Sequence, residues 1–107
     1  PEGYWTRSLL DPEHAPGPET SGTAFFTYGL LWGMNNGFLD KATYQPVVEK
    51  AWKYLTTVAL QSDGRVGYVQ PIGEKAIPGQ VVDANSTANF GVGAFLLAAC
   101  EMVRFLN

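Results

Sequence analysis

A chain of 107 residues with seven basic and ten acidic side chains, net charge −3, is one small domain at most and carries no basic stripe. That balance removes the electrostatic footing for binding nucleic acid or an anionic membrane. Hydrophobic residues make up 46% and charged residues 16%, so the chain is globular in class yet short of the charge that usually coats a free-standing surface.

Residues 1–19 read as loop, rich in proline and glycine and without a sustained period. Ser21, preceded by Glu19 and Thr20, offers an N-cap, and the acidic neighbour suits the positive end of a helix. The helix is predicted over 20–36, where Asn35-Asn36-Gly37 supplies residues that tolerate the left-handed conformation of a C-cap. Phe38 and Leu39 are expected to fold back onto it. Thr20–Leu39 holds no charged residue and approaches the ~20 residues that span a bilayer. Thr23, Thr27, Tyr28, Asn35, Asn36 and four glycines dilute it, and no Lys/Arg cluster flanks it, so a soluble, buried helix is the better reading.

A second helix is predicted over 43–60, with Pro46 in its first turn. Val47, Val48, Ala51, Trp52, Leu55, Val58 and Ala59 recur at spacings of three and four, opposite Glu49, Lys50, Lys53, Thr56 and Thr57. This helix is amphipathic and belongs on an outer surface. Ser62-Asp63-Gly64-Arg65 is a turn signal. Val66–Gln70 reads as a short strand or extended segment, and Pro71–Val82 as an irregular excursion within a loop at 61–84.

The last helix is predicted over 85–106. Its first half is wholly apolar, and Glu101 and Arg104 are expected to reach solvent near its end. Cys100, the only cysteine, sits in the apolar run Leu96–Cys100, which excludes an intrachain disulfide or a cysteine metal motif and predicts a buried, inert thiol. His14, the only histidine, lies in a loop and reads as solvated. No metal and no cofactor are expected.

A helix apolar on every face must be surrounded on every face, and 107 residues cannot surround two of them. Either the remainder of a larger core or self-association has to cover them. Ser21-Gly22-Thr23-Ala24-Phe25 and Ser86-Thr87-Ala88-Asn89-Phe90 also begin alike, a weak internal repeat of the kind that stacked helix hairpins produce. The order inner helix, outer helix, loop, inner helix matches an α/α toroid with its mouth where the inner helices begin. Trp32 and Trp52, at helical spacing among apolar neighbours, read as core.

Several segments resemble a known family in order and at sensible spacing. Gly3-Tyr4-Trp5-Thr6-Arg7-Ser8-Leu9-Leu10-Asp11 and Pro18-Glu19-Thr20-Ser21-Gly22-Thr23-Ala24-Phe25-Phe26 are similar to consecutive segments of glycoside hydrolase family 105 and its relative family 88. Tyr44–Trp52, Asp63–Pro71 and Phe90–Ala99 resemble that family's outer helix, last loop and closing helix. The resemblance implies an all-α fold, part of an (α/α)6 barrel, with this chain as a C-terminal fragment of about a third. It implies oligosaccharide substrates left by polysaccharide lyases, with a 4,5-unsaturated uronic acid at the non-reducing end. The family reaction is hydration of the vinyl ether: an Asp protonates the double bond and directs water to it. It differs from two-carboxylate glycosidase chemistry. No segment here corresponds to the one that carries the Asp. Trp5-Thr6-Arg7 matches three positions of the family's Trp-x-Arg-x-x-Gly-Trp segment, but Ser8-Leu9-Leu10-Asp11 lacks its Gly-Trp, so Trp5 is assigned to a later loop. Any targeting signal would lie upstream, leaving cytoplasm and periplasm of a polysaccharide-degrading bacterium both open.

No catalytic residue is therefore assigned within the chain. The candidate substrate contacts are Trp5, whose indole face suits sugar C–H surfaces, and Arg7, whose guanidinium suits a carboxylate or sulfate. Arg7 pairing with Glu19 or Asp11 is the plain alternative. Glu19, Thr20 and Ser21 at one helix mouth, and Asn85 and Ser86 at the other, are candidates that capping would explain equally. Asp83 reads as a cap, and Tyr68 and Gln70 as turn residues at the rim. Two other functions stay open: a non-catalytic carbohydrate-binding or structural toroid, and a standalone helical oligomerisation module.

Overall fold

A computed structural model describes residues 2–73, 77 and 79–107. Pro1 and Pro78, assigned above to the N-terminal loop and the excursion, lie outside the described residues, as do 74–76. Three helices follow in order: α1 (Thr20–Asn35), α2 (Lys41–Tyr54) and α3 (Asn89–Leu106), with a π-helical turn at Leu55–Ala59 continuing α2. Among the described residues there is no strand, and the one ladder contact is an isolated antiparallel bridge between Leu60 and Val66. Val66–Gln70 is thus extended loop.

Local chemistry sets each boundary. Glu19, not Ser21, caps α1, because its carboxylate reaches Gly22 N–H at 2.7 Å and Ser21 N–H at 3.1 Å. At the far end Asn36 donates to Trp32 O through both its backbone N–H and its side chain. Gly37 takes the left-handed φ of 78° that the turn requires. Phe38 and Leu39 then fold back, both donating to Gly33 O, with Leu39 packed where a Cβ on Gly33 would lie. Asp40 caps α2 by accepting from Thr43 N–H at 2.9 Å and Thr43 Oγ1 at 2.7 Å. This start lies two residues before the expected one, so Pro46 falls in the second turn, where it removes an N–H that would have met Ala42 O. The helix ends in a π turn, closed by Leu60 N–H on Leu55 O at 3.0 Å.

α3 begins at Asn89, four residues later than expected. Asn85 and Ser86 do not open it. They form a turn with Asp83, whose carboxylate accepts from Asn85 N–H at 2.9 Å and whose carbonyl accepts from Ser86 N–H at 2.9 Å. Asp83 therefore stabilises a turn, not a helix start. Ala88 is the helix cap and offers no side-chain bond.

Two apolar clusters show how the helices run. Ala24, Tyr54, Leu55, Ala59, Val66, Val69 and Ala94 join the start of α1, the end of α2 and the start of α3. Leu31, Met34, Val48 and Met102 join the opposite ends, and Trp52 packs on both clusters. α1 and α3 are thus parallel neighbours, and α2 runs antiparallel on their outside. Gly91 makes the close approach possible, because a Cβ there would run into the Val69 side chain. Among the described residues no buried side-chain polar atom lacks a partner.

α1 buries its small and hydroxyl-bearing side and exposes its large aromatics. Thr20, Thr23, Ala24 and Thr27 are fully buried, whereas Phe25, Phe26 and Trp32 are more than two-fifths exposed. Leu96, Leu97, Val103 and Leu106 are exposed on α3. Trp32 is accordingly not core here; it stacks on Phe38 with ring centroids 5.6 Å apart. Cys100 is exposed, not buried. Glu101 reverses in the other direction: it is buried, accepting from Asn35 Nδ2 at 3.1 Å and facing Arg104 at 3.6 Å. α3 has the length and apolarity of a membrane-crossing helix, but that test is passed equally by core helices, and this one packs along α1.

Candidate functional site

The starts of α1 and α3 and the loops around them form one mouth. Trp5 is tied into it through its backbone: its N–H donates to Thr23 Oγ1 at 2.9 Å, and its carbonyl accepts from Glu19 N–H at 3.1 Å. Its ring lies 5.1 Å from that of Phe26, tilted by 55°. The other faces of this segment border two clefts. One, of about 340 Å³, is lined by Gly3, Tyr4, Trp5, Val47 and Lys50. The second, of about 310 Å³, is lined by Glu2, Tyr4, Trp5, Thr6, Leu9 and Pro12. A half-buried indole at the edge of both is chemically suited to a sugar face.

Arg7 pairs with neither Glu19 nor Asp11. Its guanidinium donates to Gln80, to Oε1 at 2.8 Å and to the carbonyl at 3.4 Å. Among the described residues these neutral oxygens are its only hydrogen-bond partners. Arg65, by contrast, sits on Asp63 at 2.9 Å, and Arg104 faces Glu101. Among the described residues, then, no acidic side chain offsets the Arg7 charge at the loop edge. Gln80 escaped the sequence reading because nothing local marks a partner 73 residues away.

Glu19 is 2% exposed, and its carboxylate accepts four hydrogen bonds. Two come from Ser21, one from Gly22 and one from Gln70 N–H at 2.9 Å. Thr20 is equally enclosed. Its hydroxyl donates to Gly67 O at 2.6 Å, so Tyr54 OH, 2.7 Å away, must be the donor to Thr20 Oγ1. Burial raises the Tyr54 phenol well above its ordinary value, reinforced by the nearby Glu19 charge. Glu19, Thr20 and Ser21 are buried in this chain and committed to internal bonds.

Tyr68 is the residue whose importance the local sequence conceals. It is the one non-glycine with positive φ among the described residues, at 62°. Both sides of it are pinned: its N–H donates to Asp83 O at 2.8 Å and its carbonyl accepts from Thr20 N–H at 2.7 Å. Val69 N–H then donates to Ser86 O at 2.9 Å. Strained residues of this kind cluster at ligand clamps and switch regions. The bonds bring Trp5, Glu19–Ser21 and Ser86 together around Tyr68–Gln70. Asn85 lies further out, exposed, with Arg65 donating to its side-chain oxygen at 3.3 Å. Among the described residues no group of three His, Cys, Asp or Glu side chains is placed to hold a metal ion.

Known proteins share this arrangement. The chain is 48% identical over 103 residues to an unsaturated 3S-rhamnoglycuronyl hydrolase of Formosa agariphila, covering 96% of this chain and 26% of that one. It is 46% identical over 102 residues to the enzyme of the same name from an Alteromonas species, covering 95% and 24%. The chain therefore spans about a quarter of the length of these curated relatives. Among solved structures, a glycosyl hydrolase family 88 protein from Bacteroides vulgatus superposes with a TM-score of 0.92 at 77% identity, covering 98% of this chain and 30% of that one. A chain described as a polysaccharide lyase matches with the same TM-score at 87% identity, covering 99% and 30%. The parallel inner pair with its antiparallel outer helix is thus part of an (α/α)6 barrel. The profile of Glycosyl Hydrolase Family 88 runs from residue 1 to residue 106, and the chain belongs to that family.

Proposed function

We propose that this chain is the C-terminal part of a barrel domain that hydrolyses unsaturated uronyl ends of lyase-generated oligosaccharides. The observation that carries the reading is the 48% identity to an enzyme named for removing such a sugar, extending over nearly the whole chain. In this chemistry a proton adds to one carbon of the 4,5 double bond and water oxygen to the other, giving a hemiketal. The hemiketal opens, the glycosidic acetal becomes a hemiacetal, and the remaining oligosaccharide leaves. The general acid lies in the part of the barrel outside this chain. The chain itself supplies wall: Trp5 against a sugar face, Arg7 toward an anionic group, and the loops held by Glu19, Thr20, Ser21, Asn85 and Ser86. A guanidinium whose partners among the described residues are the neutral oxygens of Gln80 is suited to a carboxylate or sulfate. Isolated from its barrel, the chain is expected to be inactive.

The 87% identical chain described as a polysaccharide lyase supports a second reading, elimination instead of hydration. One measurement separates the two. Hydration destroys the conjugated double bond, so ultraviolet absorbance of unsaturated oligosaccharides should fall when the barrel-length protein is added. A rise in absorbance on intact polysaccharide would favour the lyase. No change on either substrate across several uronate polymers would favour a non-catalytic carbohydrate-binding toroid.

A further inference from the structure

We propose that Glu19 is a positioning residue that clamps two walls of the mouth to the start of α1, an inference that rests on the functional reading above. Glutamate is an uncommon N-cap, because Asp, Asn, Ser and Thr reach the first-turn N–H groups with shorter side chains. Here the additional methylene has a use. Oε1 serves the helix alone, taking Gly22 N–H at 2.7 Å and Ser21 Oγ at 2.8 Å. Oε2 takes Ser21 N–H at 3.1 Å and also crosses to Gln70 N–H at 2.9 Å, 51 residues along the chain. The backbone N–H of the same residue holds Trp5 O at 3.1 Å.

One residue therefore joins the Trp5 segment, the first turn of α1 and the Tyr68–Gln70 segment. The last of these contains the left-handed Tyr68, a conformation that persists only where its surroundings over-determine it. On its C-terminal side Val69 N–H is held by Ser86 O, and the bond from Gln70 to Glu19 follows one residue later. A cap alone would not require a side chain of this length, nor a carboxylate 2% exposed between two loops. The consequence is a sugar-facing wall held in place before substrate arrives, which favours binding by reducing what must be ordered.

Glu19→Asp in the barrel-length protein tests this directly. Aspartate keeps the cap but is one methylene too short to hold Gln70 as well. The expected result is a folded protein whose KM for an unsaturated disaccharide rises ~10-fold while kcat stays within about two-fold. Glu19→Gln keeps the length but replaces one acceptor with a donor, and should give the same KM-weighted loss. In both, hydrogen exchange at the Gln70 amide should speed up by ~10-fold or more. Folded Glu19→Asp with KM and Gln70 exchange both within about two-fold of wild type would overturn the clamp, since a capping role alone moves neither. Should one variant not fold, the other carries the same comparison. A wild-type protein that consumes no unsaturated sugar overturns the functional reading instead. Gln70 exchange, read without substrate, then still decides whether Glu19 joins the segments.

Discussion

On the proposed reading Arg7 and Trp5 would face the sugar, and Arg7 offers a measurable consequence. Arg7→Ala removes a charge that only Gln80 engages among the described residues, so folding should be little affected. The loss should appear as KM, on the order of 10- to 100-fold, the value of a charge-assisted bond to an anionic sugar. An unchanged KM would remove Arg7 from the site. Tyr54 gives a pH signature. Its phenol is raised above the ordinary 10.0, so above that pH the unfolded chain releases a proton that the native one keeps. The stability contributed by this group is complete below pH 10.0 and falls as pH rises further. Tyr4 is raised as well, through its hydrogen bond to Glu2, then burial and the Glu2 charge. Tyr54→Phe should therefore flatten, without abolishing, the decline in melting temperature as pH rises above about 10. At this scale residue types were legible but partners were not. Trp5 and Arg7 stand out in sequence as sugar-binding chemistry, while Gln80 gave no signal and Gln70 read only as a turn residue at the rim, because their bonds cross 73 and 51 residues.

The helices were readable from their patterns, and their ends less so. α2 shows the clearest period: Val48, Ala51, Leu55 and Ala59 are buried, and Glu49, Lys50 and Lys53 are exposed. Its cap is testable, since Asp40→Ala should lower the midpoint of denaturant unfolding. The Asp40 carboxyl is held below its ordinary value by the Thr43 hydroxyl and then the Thr43 N–H, a sign that the charged form does the capping. Gly91→Ala should cost more, about 1–3 kcal/mol, because the new methyl would overlap the Val69 side chain where α3 approaches the loop. A neutral Gly91→Ala would show that the loop can retreat. α3 starts later than its sequence predicts because Asn85 and Ser86, good caps in isolation, are claimed by Asp83 and Val69 for a turn. α1 carries no charge and α3 none before Glu101, which announced burial but not which face would be covered within this chain.

At the scale of the whole molecule, the exposed apolar faces of α1 and α3 are the governing fact. Phe25, Phe26, Leu96, Leu97 and Val103 form surface that no isolated 107-residue chain would leave to water without consequence. The isolated chain is expected to associate over a range of sizes and to bind an apolar dye, as seen by sedimentation and fluorescence. A discrete small oligomer with cooperative unfolding would favour a standalone helical module. Cys100 offers a finer probe: a maleimide should label it readily in the isolated chain and slowly in the barrel-length protein, where neighbouring helices cover that face. The sequence by itself determined the three helices, the amphipathic outer one, the largely apolar inner pair and the family, because these rest on composition, period and ordered local motifs. Only the tertiary structure decided which carboxylate caps α1, where Arg7 spends its hydrogen bonds, and that Tyr68 is held in a left-handed conformation. Those outcomes depend on bonds between residues distant in sequence, whose geometry exists only once α1, α3 and the loops have packed.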